Sequence, residues 1–141
     1  MTESTIAIIK STAPVIKEHG EAITTAMYAN LFRVHPEAKA FFKDASEDQY
    51  KKLAAMVYAY AANIDNLGAL GKGVEKVANI HVNIGVLPEH YPWVGVALLE
   101  AITQVLGEAA TPEIMDAWKE AFFFLADVFI AKEKEIYAAK A

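Results

Sequence analysis

His81 is an imidazole on an apolar helix face, and it has the clearest capacity for chemistry in this sequence. On a helix, Val74, Val77, Ala78 and Ile84 lie within about 60° of His81 around the axis. An imidazole in such a place needs a hydrogen-bond partner or a metal ion. Taken alone, the spacing favours a core histidine bonded to a nearby carbonyl over a metal ligand.

Two further polar residues fall on apolar helix faces. Glu133 lies near the middle of a largely aromatic stripe formed by Trp118, Phe122, Ala126, Phe129 and Ile136. A buried carboxylate must be paired or hydrogen-bonded, unless the last helical turns extend beyond the core and leave Glu133 in water. Gln49 shares a face with Leu53, Met56, Tyr60 and Ile64. Gln49 also stands three residues after Ser46, and locally this pattern favours a capping box.

The other tyrosines and histidines give weaker signals. Tyr28 lies on an apolar face and Tyr91 stands at a helix entrance, but buried tyrosines with satisfied hydroxyls are common. His19, His35 and His90 fall at helix ends or turns, where solvated structural roles dominate. The sequence contains no HExxH, paired Glu-x-x-His or GxSxG motif, and no glycine-rich loop after a strand.

Composition excludes several classes of protein. The 141 residues fit one domain, and the net charge of −5, with scattered lysines and a single arginine, argues against nucleic-acid binding. The absence of cysteine excludes disulfides, thiolate metal sites and cysteine nucleophiles. No secretory signal is visible, and no stretch approaches the roughly 20 apolar residues of a membrane span. We therefore expect one soluble, cytoplasmic domain over residues 1–141.

The hydrophobic periodicity is helical nearly throughout, which predicts an all-α domain. The expected helices cover residues 3–19, 21–35, 36–42, 46–64, 74–83, 92–106 and 112 to nearly the end of the chain, with a looser stretch over 65–73. Pro14 is expected to bend or interrupt the first helix, and Gly20 to stop it. Gly85 and Gly107 are expected to end two later helices, and Thr111–Glu113 is a strong start signal for the last one.

Six segments, in this order, resemble the single-domain bacterial haemoglobins and the globin half of the flavohaemoglobins. They are IKEHG (16–20), MYANLF (27–32), HPEAKAFF (35–42), HVNIGV (81–86), HYPWVG (90–95) and ADVFIAKEKEIY (126–137). The resemblance spans Ile6 to Tyr137, and its specificity comes from the shared order of the segments. It implies the globin fold, with seven to eight helices around a haem pocket.

The resemblance also implies which residues bind the cofactor, haem b (iron protoporphyrin IX). His81 corresponds to the histidine that ligates the iron. Phe42 corresponds to the phenylalanine that packs on the haem face, and Leu53, Val57 and Val94 to further haem contacts.

Four polar residues correspond to those that tune reactivity. Tyr28 and Gln49 match the pair on the gas-binding side, where they can donate hydrogen bonds to oxygen. Tyr91 and Glu133 match the partners of the histidine N–H, which make that ligand more electron-rich. A single pocket would thus explain all three polar residues on apolar faces.

The resemblance further implies reversible oxygen binding and the oxidation of nitric oxide to nitrate, with O2, NO and CO as ligands. Flavohaemoglobins re-reduce their iron through a flavin and NAD(P)H module. We expect no such domain here, and therefore a separate NAD(P)H-dependent reductase. Oxygen storage, delivery or sensing without turnover stays open, as does a haem-free globin-like interaction module. Both a monomer and a homodimer are compatible with the sequence.

Two features depart from the family pattern or leave it incomplete. Phe122 and Phe123 stand where the family often has Tyr-Gly, which removes a polar group from the neighbourhood of His81. Ile80 and Val82 flank His81, so no adjacent cation is offered to a haem propionate.

Overall fold

The computed structural model describes residues 1–43 and 45–140, and all of their regular secondary structure is helical. The α-helices are α1 (Glu3–Val34), α2 (Gln49–Ala62), α3 (Gly71–Ile84), α4 (Tyr91–Leu106) and α5 (Pro112–Lys140). Short 3₁₀ segments occupy Pro36–Phe42, Leu67–Leu70, Pro88–His90 and Gly107–Ala109. The all-α prediction is confirmed, although five long helices and four short segments replace the expected seven to eight helices.

Helix α1 runs continuously through Pro14 and Gly20, so the predicted interruption near Pro14 and the predicted stop at Gly20 are wrong. Its buried face carries Ile9, Ile16 and Ile23, each at most 1% exposed. Burying one such side chain contributes about 1.5–3 kcal/mol. Together the three outweigh the roughly 3 kcal/mol that a proline costs inside a helix.

Gly20 is buried where α1 crosses α2. A Cβ atom built on Gly20 would lie 3.3 Å from the Cβ of Ala54. This glycine therefore allows two helices to approach closely instead of ending one of them. Only the tertiary contact distinguishes these two uses of glycine.

The capping box predicted for Ser46 and Gln49 is also wrong. Helix α2 begins at Gln49, its N-cap is Asp48, and no side chain caps it. The Ser46 hydroxyl instead donates to Oδ1 of Asp48 at 2.5 Å. Because that hydroxyl lies two residues before the N-cap, it bonds a neighbouring side chain and not the helix backbone.

Later helix boundaries agree more closely with the sequence. Gly85 and Gly107, the residues after α3 and α4, both have positive φ, and the Ile114 N–H donates to Thr111 Oγ1 at 3.3 Å at the start of α5. Helix α3 begins at Gly71, three residues earlier than expected. None of the described helices is long and apolar enough to cross a membrane.

Helices α2 and α3 pack on other helices and not extensively on each other. Helix α1 packs against α2, α4 and α5, and these contacts form the main core. Helix α3 packs mainly against α5, through a smaller cluster that includes Ala78, Tyr91, Ala126 and Phe129. The helices that carry Gln49 and His81 are therefore held by other elements and not by each other.

Candidate functional site

Three helices bring together His81 from α3, Tyr91 from α4 and Glu133 from α5, here called the His81 triad. Nδ1 of His81 lies 2.8 Å from Oε2 of Glu133 and 3.1 Å from the hydroxyl oxygen of Tyr91. The Tyr91 hydroxyl donates to both carboxylate oxygens of Glu133, each at 2.8 Å. A proton on Nδ1 of His81 satisfies this network, because Glu133 then accepts from both partners.

Glu133 is 3% exposed, so it does not extend beyond the core into water. The hydrogen bonds from Tyr91 and His81 offset the cost of burying its carboxyl group. Burial, and next the hydrogen bond to Glu133, raise the pKa of the Tyr91 hydroxyl well above its ordinary value. Tyr91 therefore stays a hydrogen-bond donor throughout the physiological pH range.

The triad fixes the orientation of the His81 ring. Nδ1 is engaged by Glu133 and Tyr91, and Phe129 packs against the ring with its centroid 5.5 Å away. Nε2 is consequently the nitrogen that can coordinate a metal. Within residues 1–43 and 45–140, no group of three or more His, Cys, Asp or Glu side chains could hold a metal ion. A metal on His81 would need further ligands from a prosthetic group, as in haem.

A second group, here called the Tyr28 cluster, consists of Tyr28, Phe32, Phe42 and Gln49. The Tyr28 ring contacts Phe42 edge-on at 5.1 Å and stacks on Phe32 at 5.9 Å. Burial raises the pKa of the Tyr28 hydroxyl, and the nearby Gln49 side chain partly opposes that rise. The structure thus brings together Tyr28, Phe42 and Gln49, which the sequence placed on three different elements.

The remaining predicted haem contacts lie on α2 and α4. Leu53, Val57 and Val94 are all half-buried and pack against the main core. Gln49, Leu53 and Val57 are spaced by four along α2, so they share one face of that helix. Among the described residues, no hydrogen bond or aromatic contact joins the Tyr28 cluster to the His81 triad.

Other polar and aromatic contacts were not foreseen from the sequence. The Tyr137 hydroxyl donates to the carbonyl of Val86 at 2.7 Å, just beyond the end of α3. Its position four residues after Glu133 is the only local signal that it faces α3 as well. His35 stacks on Trp93 with ring centroids 4.0 Å apart, so this histidine is packed instead of merely solvated.

Two apolar grooves lie apart from the predicted site residues. One, of about 240 Å³, lies between α3 and α5 and includes Val74 and Phe124. The other, of about 180 Å³, lies between α1 and α4 and includes Val34 and Trp93. Neither is lined by a member of the His81 triad or the Tyr28 cluster.

Phe122, one of the departures from the family pattern, packs directly on Gly95 of α4. A Cβ atom on Gly95 would lie 2.8 Å from Cε2 of Phe122. Gly95 is one turn beyond Tyr91, so this contact sets the distance between α4 and α5 next to the triad. The phenyl ring therefore has a packing role where the family often has a hydroxyl.

Gly95→Ala is expected to lower the free energy of unfolding by about 1–3 kcal/mol, because the added methyl overpacks against Phe122. Urea denaturation followed by circular dichroism measures this change. Gly73→Ala is the matched control, since a Cβ atom there meets nothing within 4 Å. The control is expected to be neutral or slightly stabilising. Equal stability of the two variants would show that the Phe122 ring moves aside without a measurable cost in stability, and would contradict this prediction.

Comparison with known proteins identifies the family. The Globin family model matches residues 25–129, and the chain therefore belongs to the globin family. The flavohemoprotein of Deinococcus radiodurans is 49% identical over 144 residues, which cover 100% of this chain but 36% of that protein. The chain thus spans about a third of the length of such relatives.

Solved structures give the same result for the fold. An engineered carbene transferase, described as a "putative nitric oxide dioxygenase from Rhodothermus marinus", superposes with a TM-score of 0.95 at 37% identity, covering 99% of this chain and 97% of the other. A bacterial globin from Campylobacter jejuni superposes with a TM-score of 0.89 at 38% identity, covering 97% and 99%. The predicted globin fold is confirmed, and so is the kinship with bacterial globins.

Proposed function

We propose that this chain binds haem b through Nε2 of His81 and uses it to bind oxygen. The observation that carries the proposal is the His81 triad, in which a buried carboxylate and a tyrosine hydroxyl engage Nδ1. A histidine that binds a metal usually donates its other N–H to such a partner. A core histidine satisfied by a nearby carbonyl would need no buried carboxylate.

The surroundings fit a haem group. The proposed contacts Phe42, Leu53, Val57 and Val94 are apolar and half-buried, as expected of side chains that line an open apolar site. Helices α2 and α3, which carry Leu53 and His81, do not pack closely on each other. A flat apolar group bound between them would supply contacts that these two helices do not make with each other.

Bound haem would supply an iron that takes O2, NO or CO, and would allow oxygen to oxidise nitric oxide to nitrate. The protein acts on this chemistry from two sides. On the α3 side, Glu133 and Tyr91 hold Nδ1 of His81, which orients the ring and makes it a more electron-rich ligand. On the α2 side, the Tyr28 hydroxyl and the Gln49 amide would donate hydrogen bonds to the gas ligand.

The protonation of Tyr28 suits this donor role. Burial raises the pKa of its hydroxyl, so the proton stays on the oxygen at neutral pH. The Gln49 side chain lies close enough to act on that pKa, so both groups would face the same gas ligand. Phe42 packs edge-on against the same ring and restricts its rotation.

The finer proposal is nitric oxide dioxygenation, in which NO, O2 and one electron give nitrate. The electron would come from a flavin-containing, NAD(P)H-dependent reductase, which the kinship with the flavohemoproteins suggests. Support comes from that kinship, from the description of the Rhodothermus protein and from the electron-rich setting of His81. Reversible oxygen binding without turnover uses the same residues and differs in the rate of reaction with nitric oxide.

Absorption spectra of the purified chain test haem binding first. A strong Soret band is expected, which shifts on reduction and again with carbon monoxide. A colourless protein that takes up no added haem would contradict haem binding and favour the haem-free module.

Mixing of the reduced, oxygenated protein with nitric oxide then tests the reaction. Nitrate is expected in a one-to-one ratio with haem, within the mixing time of a stopped-flow instrument. The reduced protein mixed with nitric oxide in the absence of oxygen is the control, and it is expected to form no nitrate. Slow or absent nitrate formation by the wild type would contradict dioxygenation and leave oxygen binding as the proposed function.

A further inference from the structure

The last turns of α5 contact the region of His81 at two separate points. Glu133 bonds the His81 side chain, and the Tyr137 hydroxyl donates to the carbonyl of Val86 at 2.7 Å. Glu133 and Tyr137 are four residues apart, so they lie on the same face of α5. The second contact reaches the main chain and not the side chain of its target.

The turn that follows α3 links Val86 to His81. The Val86 N–H donates to the His81 carbonyl at 2.9 Å, and the Gly85 N–H donates to the Val82 carbonyl at 3.2 Å. These two bonds form a Schellman motif, which requires a left-handed residue, and Gly85 has φ +87°. The His81 carbonyl is therefore one of the two acceptors whose hydrogen bonds close the turn.

His81 is consequently tied to α5 through both its side chain and its backbone. The imidazole is held by Glu133, and the backbone is held through Val86, whose N–H donates to the His81 carbonyl and whose own carbonyl accepts from the Tyr137 hydroxyl. We infer that Tyr137 is a positioning residue for His81, and that its hydroxyl sets the direction of Nε2 by fixing the turn after α3. This inference rests on the proposed role of His81 as haem ligand.

A purely structural role for Tyr137 makes different predictions. The Val86 side chain also packs against the cluster around Phe129, so packing alone could hold the turn. Lys140 makes a further bond, to Oδ1 of Asn83 at 2.9 Å, but that contact is exposed and contributes little. The tests must therefore measure the turn and the His81 ring separately from overall stability.

Tyr137→Phe removes the hydroxyl and keeps the ring. Tyr60→Phe is the matched control, because the Tyr60 hydroxyl also donates to a backbone carbonyl at 2.7 Å, that of Ala121 in the main core. Hydrogen exchange of the purified full chain is measured for both variants. Tyr137→Phe is expected to speed exchange of the Val86 N–H about fivefold, the factor that loss of one ordinary hydrogen bond implies.

Tyr60→Phe is expected to alter Val86 exchange only as far as it alters global stability. Equal Val86 exchange in the two variants would overturn the inference. The second measurement is the iron–histidine stretching frequency of the reduced protein, by resonance Raman spectroscopy. A shift is expected in Tyr137→Phe and none in Tyr60→Phe.

Faster exchange at Val86 with an unchanged iron–histidine frequency would show that Tyr137 is structural only, and would also overturn the inference. A wild-type chain without a Soret band would instead remove the proposed function, and the positioning role with it. The wild-type spectrum is recorded before any variant is made, so failure of the proposed function is distinguishable from failure of the positioning role.

Discussion

Replacement of His81 with alanine is expected to abolish the spectrum of histidine-ligated haem. Loss of a partner that only orients a metal ligand typically weakens metal binding 10- to 100-fold, so loss of the ligand itself is expected to weaken haem binding more than about 100-fold. Titration of the purified variant with haem, followed at the Soret band, measures the change. Added imidazole is expected to restore part of the histidine-ligated spectrum, because it can replace the missing side chain at the iron.

The fold of this variant is expected to survive. Glu133 loses one donor but keeps the Tyr91 hydroxyl, which donates to both carboxylate oxygens. The cost of the lost bond, about 1–3 kcal/mol, is below the stability of an ordinary domain. His19→Ala is the control, because His19 lies on α1, outside the His81 triad. A native, histidine-ligated spectrum in His81→Ala would contradict the proposed site, whatever else the protein binds.

Replacement of Tyr28 with phenylalanine is expected to speed oxygen dissociation about 10- to 100-fold. Oxygen on ferrous haem carries partial negative charge, and a hydrogen bond to a charged group contributes about 1.5–3 kcal/mol. Carbon monoxide carries little charge on iron, so its dissociation is expected to change much less. The contrast between the two gases separates a lost hydrogen bond from a general loosening of the site. Stopped-flow replacement of oxygen by carbon monoxide measures the first rate.

Tyr58→Phe is the matched control for this prediction. Tyr58 is also half-buried, and its ring lies near Lys17, away from the Tyr28 cluster. Its replacement is expected to leave both dissociation rates unchanged. An oxygen dissociation rate in Tyr28→Phe equal to that of the wild type would remove Tyr28 from the proposed donors and leave Gln49 as the candidate.

Features with a local cause could be predicted from the sequence. Gly85 ends α3 because a Schellman turn needs a left-handed residue, and Thr111 caps α5 because its hydroxyl accepts from the first helical turn. His81 stood out because a polar residue interrupted an apolar stripe. Features with a non-local cause could not be derived from the local pattern. Gly20 is an example, because its missing side chain makes room for Ala54 on another helix.

The His81 triad belongs to the second kind. Its members lie on three helices, and Glu133 is 52 positions after His81 and 42 after Tyr91. The stripe around Glu133 showed that its carboxyl would be costly to bury, but two environments remained open for it. Packing of α5 against α3 and α4 decided between them, since it buried Glu133 and supplied its donors together.

The amino-acid pattern by itself determined that the chain forms helices, where most of them end, and that three polar side chains face apolar surroundings. These properties follow from the 3.6-residue period and from turn chemistry, both of which act over a few residues. The tertiary structure alone decided which polar groups meet, that α1 runs unbroken through Pro14, and that Tyr137 reaches the turn beyond His81. Such pairings depend on how helices pack, and packing is set by side-chain shapes summed over the whole core.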